Sequence, residues 1–399
     1  MKRPMAWSRS RRGIALIMVL LVIMALLVLA GGFAANMRVE QVLARNMAND
    51  VRLEWICRSG VELGRYLLGQ QLKVPNESSV TSLNQRWAGG DGGVETSLEN
   101  ININETGLGD GSLLNLLQSD DDDWQEYIEG CNVEVKIVDL EQKVNINWAI
   151  MPSSGSTYPY GVSGWGTTDP LTRAMQEDML NVPNTERDII LTSLQDWVDP
   201  DNDRVINGFD GEDYMRQYGY MPKNDNIADI SELGMIHGIR DKLEWLVTGD
   251  FPEDPDDPQY IEEEERPQFL FPDLFTAISL GKVNVNTAPR EVLILTDPNM
   301  EQFVVDNLIN ERQGEVSDDS GADPAIRQVS ELLSLGYPTV NMQQDSARLN
   351  QIFGVTSAYF EINVKATTDE GQVKELVAIV FREDDRNVRV LQSYWKTTR

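Results

Sequence analysis

The sequence predicts an α+β fold: a long N-terminal helix packed on an antiparallel sheet, with a large α-helical part inserted between the strands. Three observations carry this. An uncharged run near the start continues without proline into a segment of helical periodicity. Alternating apolar and polar residues occur over Cys131 to Trp148 and return after Ala358. Between these stretches the periodicity is helical.

The helix comes first. Lys2, Arg3, Arg9, Arg11 and Arg12 precede Gly13, and Ile14 to Ala35 carries no charge. A helix of ~20 apolar residues spans a bilayer. The basic flank predicts a cytoplasmic N-terminus and an extracytoplasmic remainder. Three readings of this start compete: a plain signal anchor, a secretory peptide cut after small residues such as Gly32 and Ala34, and a prepilin-like leader ending at Gly13. From Asn36 to Leu72, Val39, Leu43, Met47, Val51, Trp55 and Leu67 recur at helical spacing among charges, and no proline falls between Met5 and Val74. The first half of one long helix is therefore expected in lipid or a bundle, and the second half on a globular head.

The rest follows in order. Residues 73–120 are rich in Asn, Ser and Gly and read as loops and short strands. CNVEVKIVDLEQKVNINW reads as a hairpin-like strand pair, broken at Asp139 to Gln142. LTRAMQEDML, TERDIILTSLQDWV, DISELGMIHGI, MEQFVVDNLINERQ and AIRQVSELLSLG read as helices, with the acidic, proline-rich FPEDPDDPQYIEEEERPQ as a linker. AYFEINVKATTD, VKELVAIVFRE and NVRVLQSYWK close the chain as strands. One sheet built from both ends is the simplest topology. The expected divisions are 1–13 leader, 14–35 membrane half-helix, 36–72 amphipathic half-helix, 73–168 first part of the α/β head, 169–345 helical insertion and 346–399 closing strands.

Composition excludes much. The formal net charge is −30, which repels phosphates and anionic lipid. The chain holds one histidine, His237, and two cysteines, Cys57 and Cys131. Zinc, haem and Cys/His nucleophilic sites lack the parts. No glycine-rich phosphate loop occurs. No enzyme is expected. An oxidising compartment would allow a Cys57–Cys131 disulfide; two unpaired thiols are the alternative. His237 reads as structural or surface, and Trp55, Trp87, Trp124, Trp148 and Trp197 as core or interface.

The densest chemistry is Asp196, Asp199, Asp201, Asp203, Asp210, Glu212 and Asp213. Carboxylates at alternate positions of a turn-prone loop can converge on calcium, which takes about 6–8 oxygens. The glycine and closing glutamate of an EF-hand are missing. A solvated acidic loop with Asp196 or Asp199 at a helix end is the alternative. VNVNTAPREVLILTDPNMEQFVVDNLINERQ has the outline of a helix-hairpin-helix module. Its hairpin, Thr296-Asp297-Pro298-Asn299, has no glycine and carries an acid. Phosphate-gripping backbone N–H groups are thus unavailable, and protein contact is the expected use.

Taken together and in this order, four stretches resemble the type II secretion minor pseudopilin K family: RRGIALIMVLLVIMALLV, VDLEQKVNINW, LQDWVDPDNDRVINGFDGEDYM, and DISELGMIHGI followed by GKVNVNTAPREVL. The resemblance implies a pilin-like head with a SAM-like or helix-hairpin-helix-like insertion. It implies cleavage by prepilin peptidase between Gly13 and Ile14, with N-methylation of Ile14. It places Met18 where most pilin-like subunits carry a glutamate, a departure typical of K subunits and consistent with the filament tip. It supports calcium at Asp199, Asp201, Asp203, Asp210, Glu212 and Asp213. Expected partners are I- and J-type minor pseudopilins, the major pseudopilin and inner-membrane lipid, with no nucleic acid. The expected location is the inner membrane, single-pass, head in the periplasm. Two other readings stand beside it: a minor or tip subunit of a type IV pilus, and a membrane-anchored, calcium-dependent binding protein.

Overall fold

The computed structural model describes residues 11–73, 78–89, 101–102, 130–150, 170–176, 178–200, 208–209, 211–257, 259–312 and 324–396. The N-terminal helix α1 runs from Arg11 to Gln71, 61 residues without a break. At 1.5 Å per residue that is ~90 Å. Leu16 to Gln71 is long and apolar enough to cross a membrane, and its apolar window is wholly exposed.

The strands of the described residues are, in chain order, β1 (Ile101–Asn102), β2 (Cys131–Asp139), β3 (Val144–Asn145), β4 (Phe275–Thr276), β5 (Val283–Asn284), β6 (Phe353–Gly354), β7 (Tyr359–Thr368), β8 (Val373–Arg382) and β9 (Val388–Lys396). One antiparallel sheet has the order β1-β2-β7-β8-β9, so strands from both ends of the sequence do share it. Its register sets Val133, Val135 and Ile137 of β2 beside Ala366, Val364 and Ile362 of β7. These side chains form one buried face with Leu376, Ala378 and Val380 of β8, and α1 lies on it. The alternation read from the sequence is the burial pattern found.

The buried stripe of α1 differs from the expected one. Leu53, Ile56, Cys57, Gly60, Gly64 and Leu68 face the sheet. Val39, Leu43, Met47, Val51 and Trp55 remain 54–68% exposed. Close approach decides this. A Cβ on Gly60 would stand 2.6 Å from Val364, and one on Gly64 2.9 Å from Ile362. The glycine-bearing side is where the helix can reach the sheet, and hydropathy alone ranks glycine too low to reveal it.

The hairpin expected after β2 does not form. Val144–Asn145 leaves the sheet and pairs in parallel with Phe275–Thr276 in the helical part. The 3-10 turn Leu140–Gln142, capped by Asp139, redirects the chain. By strand pairing the inserted part runs from Val144 to Gly354, wider at both ends than 169–345.

That insertion is built twice on one plan, which the sequence reading did not detect. VNINWA (144–149) and VNVNTA (283–288) each supply a two-residue strand, paired in parallel with β4 or β6. In each, the first asparagine's Oδ1 accepts the second's backbone N–H at 3.0 Å. The second asparagine then clamps a distant isoleucine both ways. Asn147 donates to Ile227 O at 2.9 Å and accepts from Ile227 N at 2.7 Å; Asn286 does the same with Ile326 at 2.9 and 2.8 Å. Each isoleucine opens an I-x-x-(I/V)-S-E-L run whose last residues are a 3-10 helix, Ile230–Met235 or Val329–Leu333, where α-helix was expected. One continuous apolar core joins both halves. Gly281, at φ +91°, lies where a Cβ would be 2.3 Å from the Trp148 ring, so the second half starts directly against the first half's tryptophan.

Candidate functional site

Two places concentrate polar chemistry. One is the expected acidic loop. The other is a buried hub at the seam of sheet and insertion, which sequence reading did not single out.

The acidic loop joins the helices Asn184–Val198 and Gly211–Gln217. Rings fasten its ends together. Trp197 meets Tyr214 edge-on at 5.4 Å, and Phe209 meets Tyr214 at 4.9 Å. Phe209 also stacks on His237 at 4.0 Å. His237 is a structural residue: its Nδ1 lies 2.7 Å from Tyr218 Oη and 3.0 Å from Asp241 Oδ2. Of the expected calcium ligands, Asp199 ends the first helix, Glu212 is exposed, and Asp213 pairs with Arg216. Asp201, Asp203 and Asp210 lie outside the described residues. Among the described residues no three acidic, His or Cys side chains gather as a metal site. The donor set is all oxygen and acidic, which suits a hard cation such as calcium.

Gly13 and Ile14 lie within α1, and Met18 is an exposed position on it. Cys57 and Cys131 are buried thiols and are not joined. Burial pushes the Cys57 thiol up to about 11, and its Sγ faces the carbonyls of Val364 and Lys374. Trp87 and Trp197 are core, Trp55 is exposed, and Trp124 lies outside the described residues.

The hub centres on Asp139, the last residue of β2. Its Oδ2 accepts from Thr287 Oγ1 at 2.5 Å, Ser357 Oγ at 2.6 Å and Asn284 Nδ2 at 3.3 Å. Its Oδ1 accepts from Glu141 N at 2.9 Å. Glu141 in turn accepts from the backbone N–H groups of Leu280, Ala358 and Tyr359 at 3.1–3.3 Å. Arg382, at the end of β8, donates to Thr81 Oγ1 and Ser357 O and lies 4.7 Å over the Phe360 ring. All three charged residues are buried. Burial raises Asp139 above the ordinary carboxylate range, against hydrogen bonds from Ser357 and Thr287. Burial, then the charge of Asp139, pushes Glu141 up to about 8. Arg382 falls to about 10 through burial. These groups come from β2, the 3-10 turn after it, β5, the Thr81 loop, the segment before β7 and β8. The hub therefore ties both chain entries of the insertion to the sheet. A signal for it existed: Asp139 and Asn284-x-x-Thr287 sit in two of the motifs quoted above, read there as the break of a strand pair and the opening of a helix-hairpin-helix module.

The family model for "Type II secretion system (T2SS), protein K" matches residues 165–244, which hold the acidic loop and the first clamped isoleucine. A curated relative, "Type II secretion system protein K" of Klebsiella pneumoniae, is 27% identical over 235 residues, 58% of this chain. Over these residues the chain is similar to type II secretion system protein K. The match spans 59% of that relative's length. Among solved structures, the GspK–GspI–GspJ complex from the type 2 secretion system of enterotoxigenic Escherichia coli matches with a TM-score of 0.57 at 17% identity. That likeness covers 89% of this chain and 99% of the other. It shows the shared fold: a long N-terminal helix on an antiparallel sheet with a helical insertion.

Proposed function

We propose that this chain is a minor pseudopilin at the tip of the type II secretion pseudopilus. It would start and cap the filament with I- and J-type subunits and so support protein export across the outer membrane. It is an assembly component and performs no catalysis. The single supporting observation is the outward stripe of α1. Val39, Leu43, Met47, Val51 and Trp55 follow the uncharged run at four-residue spacing and stay exposed, while the opposite side is buried on the sheet. Such a stripe suits lateral packing against other long helices beyond the bilayer. The bulk of the insertion would block a further subunit above it. The head would be periplasmic and α1 single-pass in the inner membrane. Prepilin peptidase would cut between Gly13 and Ile14, with methylation of Ile14. Calcium would be held by Asp199, Asp201, Asp203, Asp210, Glu212 and Asp213 and would stiffen the loop. The experiment is the mass of the N-terminal peptide of protein taken from membranes, followed by co-purification with I- and J-type subunits. An N-terminus at methylated Ile14 with both partners retained is expected. An intact Met1, or a start after Ala34, refutes the reading.

A further inference from the structure

Among the described residues the sheet ends on an unpaired edge. β9 is last in the order β1-β2-β7-β8-β9, and its outer side pairs with no strand among the described residues. Only its first residue, Val388, is buried; the other eight are exposed. An edge of that length is a template for another strand, and proteins usually blunt it with proline, charged side chains or a covering element; β9 carries two charges, Arg389 and Lys396. β9 has no proline and presents Val390, Leu391, Tyr394 and Trp395, each 38–51% exposed.

These side chains occupy both faces. Trp395 stands opposite Leu376, whose side faces α1, and Tyr394 stands opposite Val377 on the reverse side. A bulge between Ile379 and Val380 leaves Leu391 outside the pairing. A helix laid on one face would leave the other wet. Only lengthening the sheet covers both.

Charge selects the occupant. From Arg386 to the end, the chain carries Arg386, Arg389, Lys396 and Arg399 and no acid, against a whole-chain charge of −30. Arg389 and Lys396 pair with Glu383 and Glu375, but these are surface pairs that exchange readily. A second copy of β9 would set like charges face to face across the new ladder, which is unfavourable.

We propose that β9 is a strand-addition edge. It takes an extended segment of a partner protein that alternates acidic and apolar side chains, as a further strand of the sheet. The proposal stands independently of the filament reading. It is tested with full-length protein in neutral detergent, using as probe a capped peptide of about nine residues alternating glutamate and valine. Hydrogen exchange should show saturable protection of the β9 amides, about tenfold or more. Binding should weaken about tenfold as salt rises from about 0.05 to 0.5 M. The lysine–valine counterpart should give no protection. Gln392→Pro should abolish binding; the double variant Arg389→Glu, Lys396→Glu keeps the backbone intact and should weaken it about tenfold. No β9 protection at about 1 mM peptide, equal protection by the lysine–valine peptide, or protection elsewhere instead of at β9 overturns the proposal.

Discussion

Asp139→Ala removes the acceptor on which the seam converges. Thr287 Oγ1, Ser357 Oγ and Glu141 N all donate to this carboxylate and would lose that acceptor together. Asn284 Nδ2 keeps Thr81 O and Ser357 Oγ, so it is the least affected. Each orphaned buried donor costs ~1–3 kcal/mol, and these costs overlap because the groups share one pocket. Arg382 also loses a neighbouring negative charge in a buried place. Against this, the variant no longer desolvates a carboxylate. Breaking a buried charged network by removing one partner typically costs ~3–5 kcal/mol, and about 4 is expected here. The assay is urea unfolding of the detergent-solubilised chain, followed by tryptophan fluorescence. The signal from the nine tryptophans combines Trp87 in the sheet core with Trp197 and Trp245 in the insertion. Because Asp139 joins strand residues of both, the two parts should lose stability together. Asp139→Asn keeps size and an acceptor, and the two hydroxyls can reorient, so ~1–2 kcal/mol is expected. A loss under about 1 kcal/mol for the alanine variant would refute the view that the hub holds the insertion to the sheet.

The same hub sets a pH dependence. Glu141 is pushed up to about 8, so between its ordinary value and that point the folded chain holds a proton that the unfolded chain has released. Its stability contribution is full below ~4.5 and is lost as pH rises through about 8; Glu141→Gln should flatten the urea midpoint between about pH 5 and pH 9. Gly281→Ala meets both a φ of +91° and the Trp148 ring, whereas Gly371→Ala meets a φ of +82° and open space. About 2–4 kcal/mol is expected for the first and ~1 for the second, so equal melting shifts would disprove the contact. Calcium at about a hundred times its dissociation constant should add ~2.7 kcal/mol over a chelator, and Asp201→Ala should remove that gain; melting curves unchanged by calcium would remove the metal from the loop.

Much of the architecture was legible in the sequence because it rests on local periodicity. The uncharged run with its basic flank announced α1. The period-two alternation in AYFEINVKATT and VKELVAIVFR announced β7 and β8, and those strands bury the residues that the alternation selects. Asp199, Glu212 and Asp213 were proposed from acidic spacing and a family resemblance, and among the described residues they form no metal cluster. What the tertiary structure decided is where the periodic elements meet. Glycines at 60 and 64 let α1 approach the sheet so that Leu53 and Ile56 go inward while Val39, Leu43, Met47, Val51 and Trp55 stay out, since contact distance outranks hydropathy there. VNINW left the sheet because β3 finds its ladder partner more than a hundred residues away in β4, a pairing that no local pattern encodes. The hub was hidden for the same reason. Asp139, Asn284, Ser357 and Arg382 are ordinary polar residues in sequence, and only folding removes the water that would otherwise serve them.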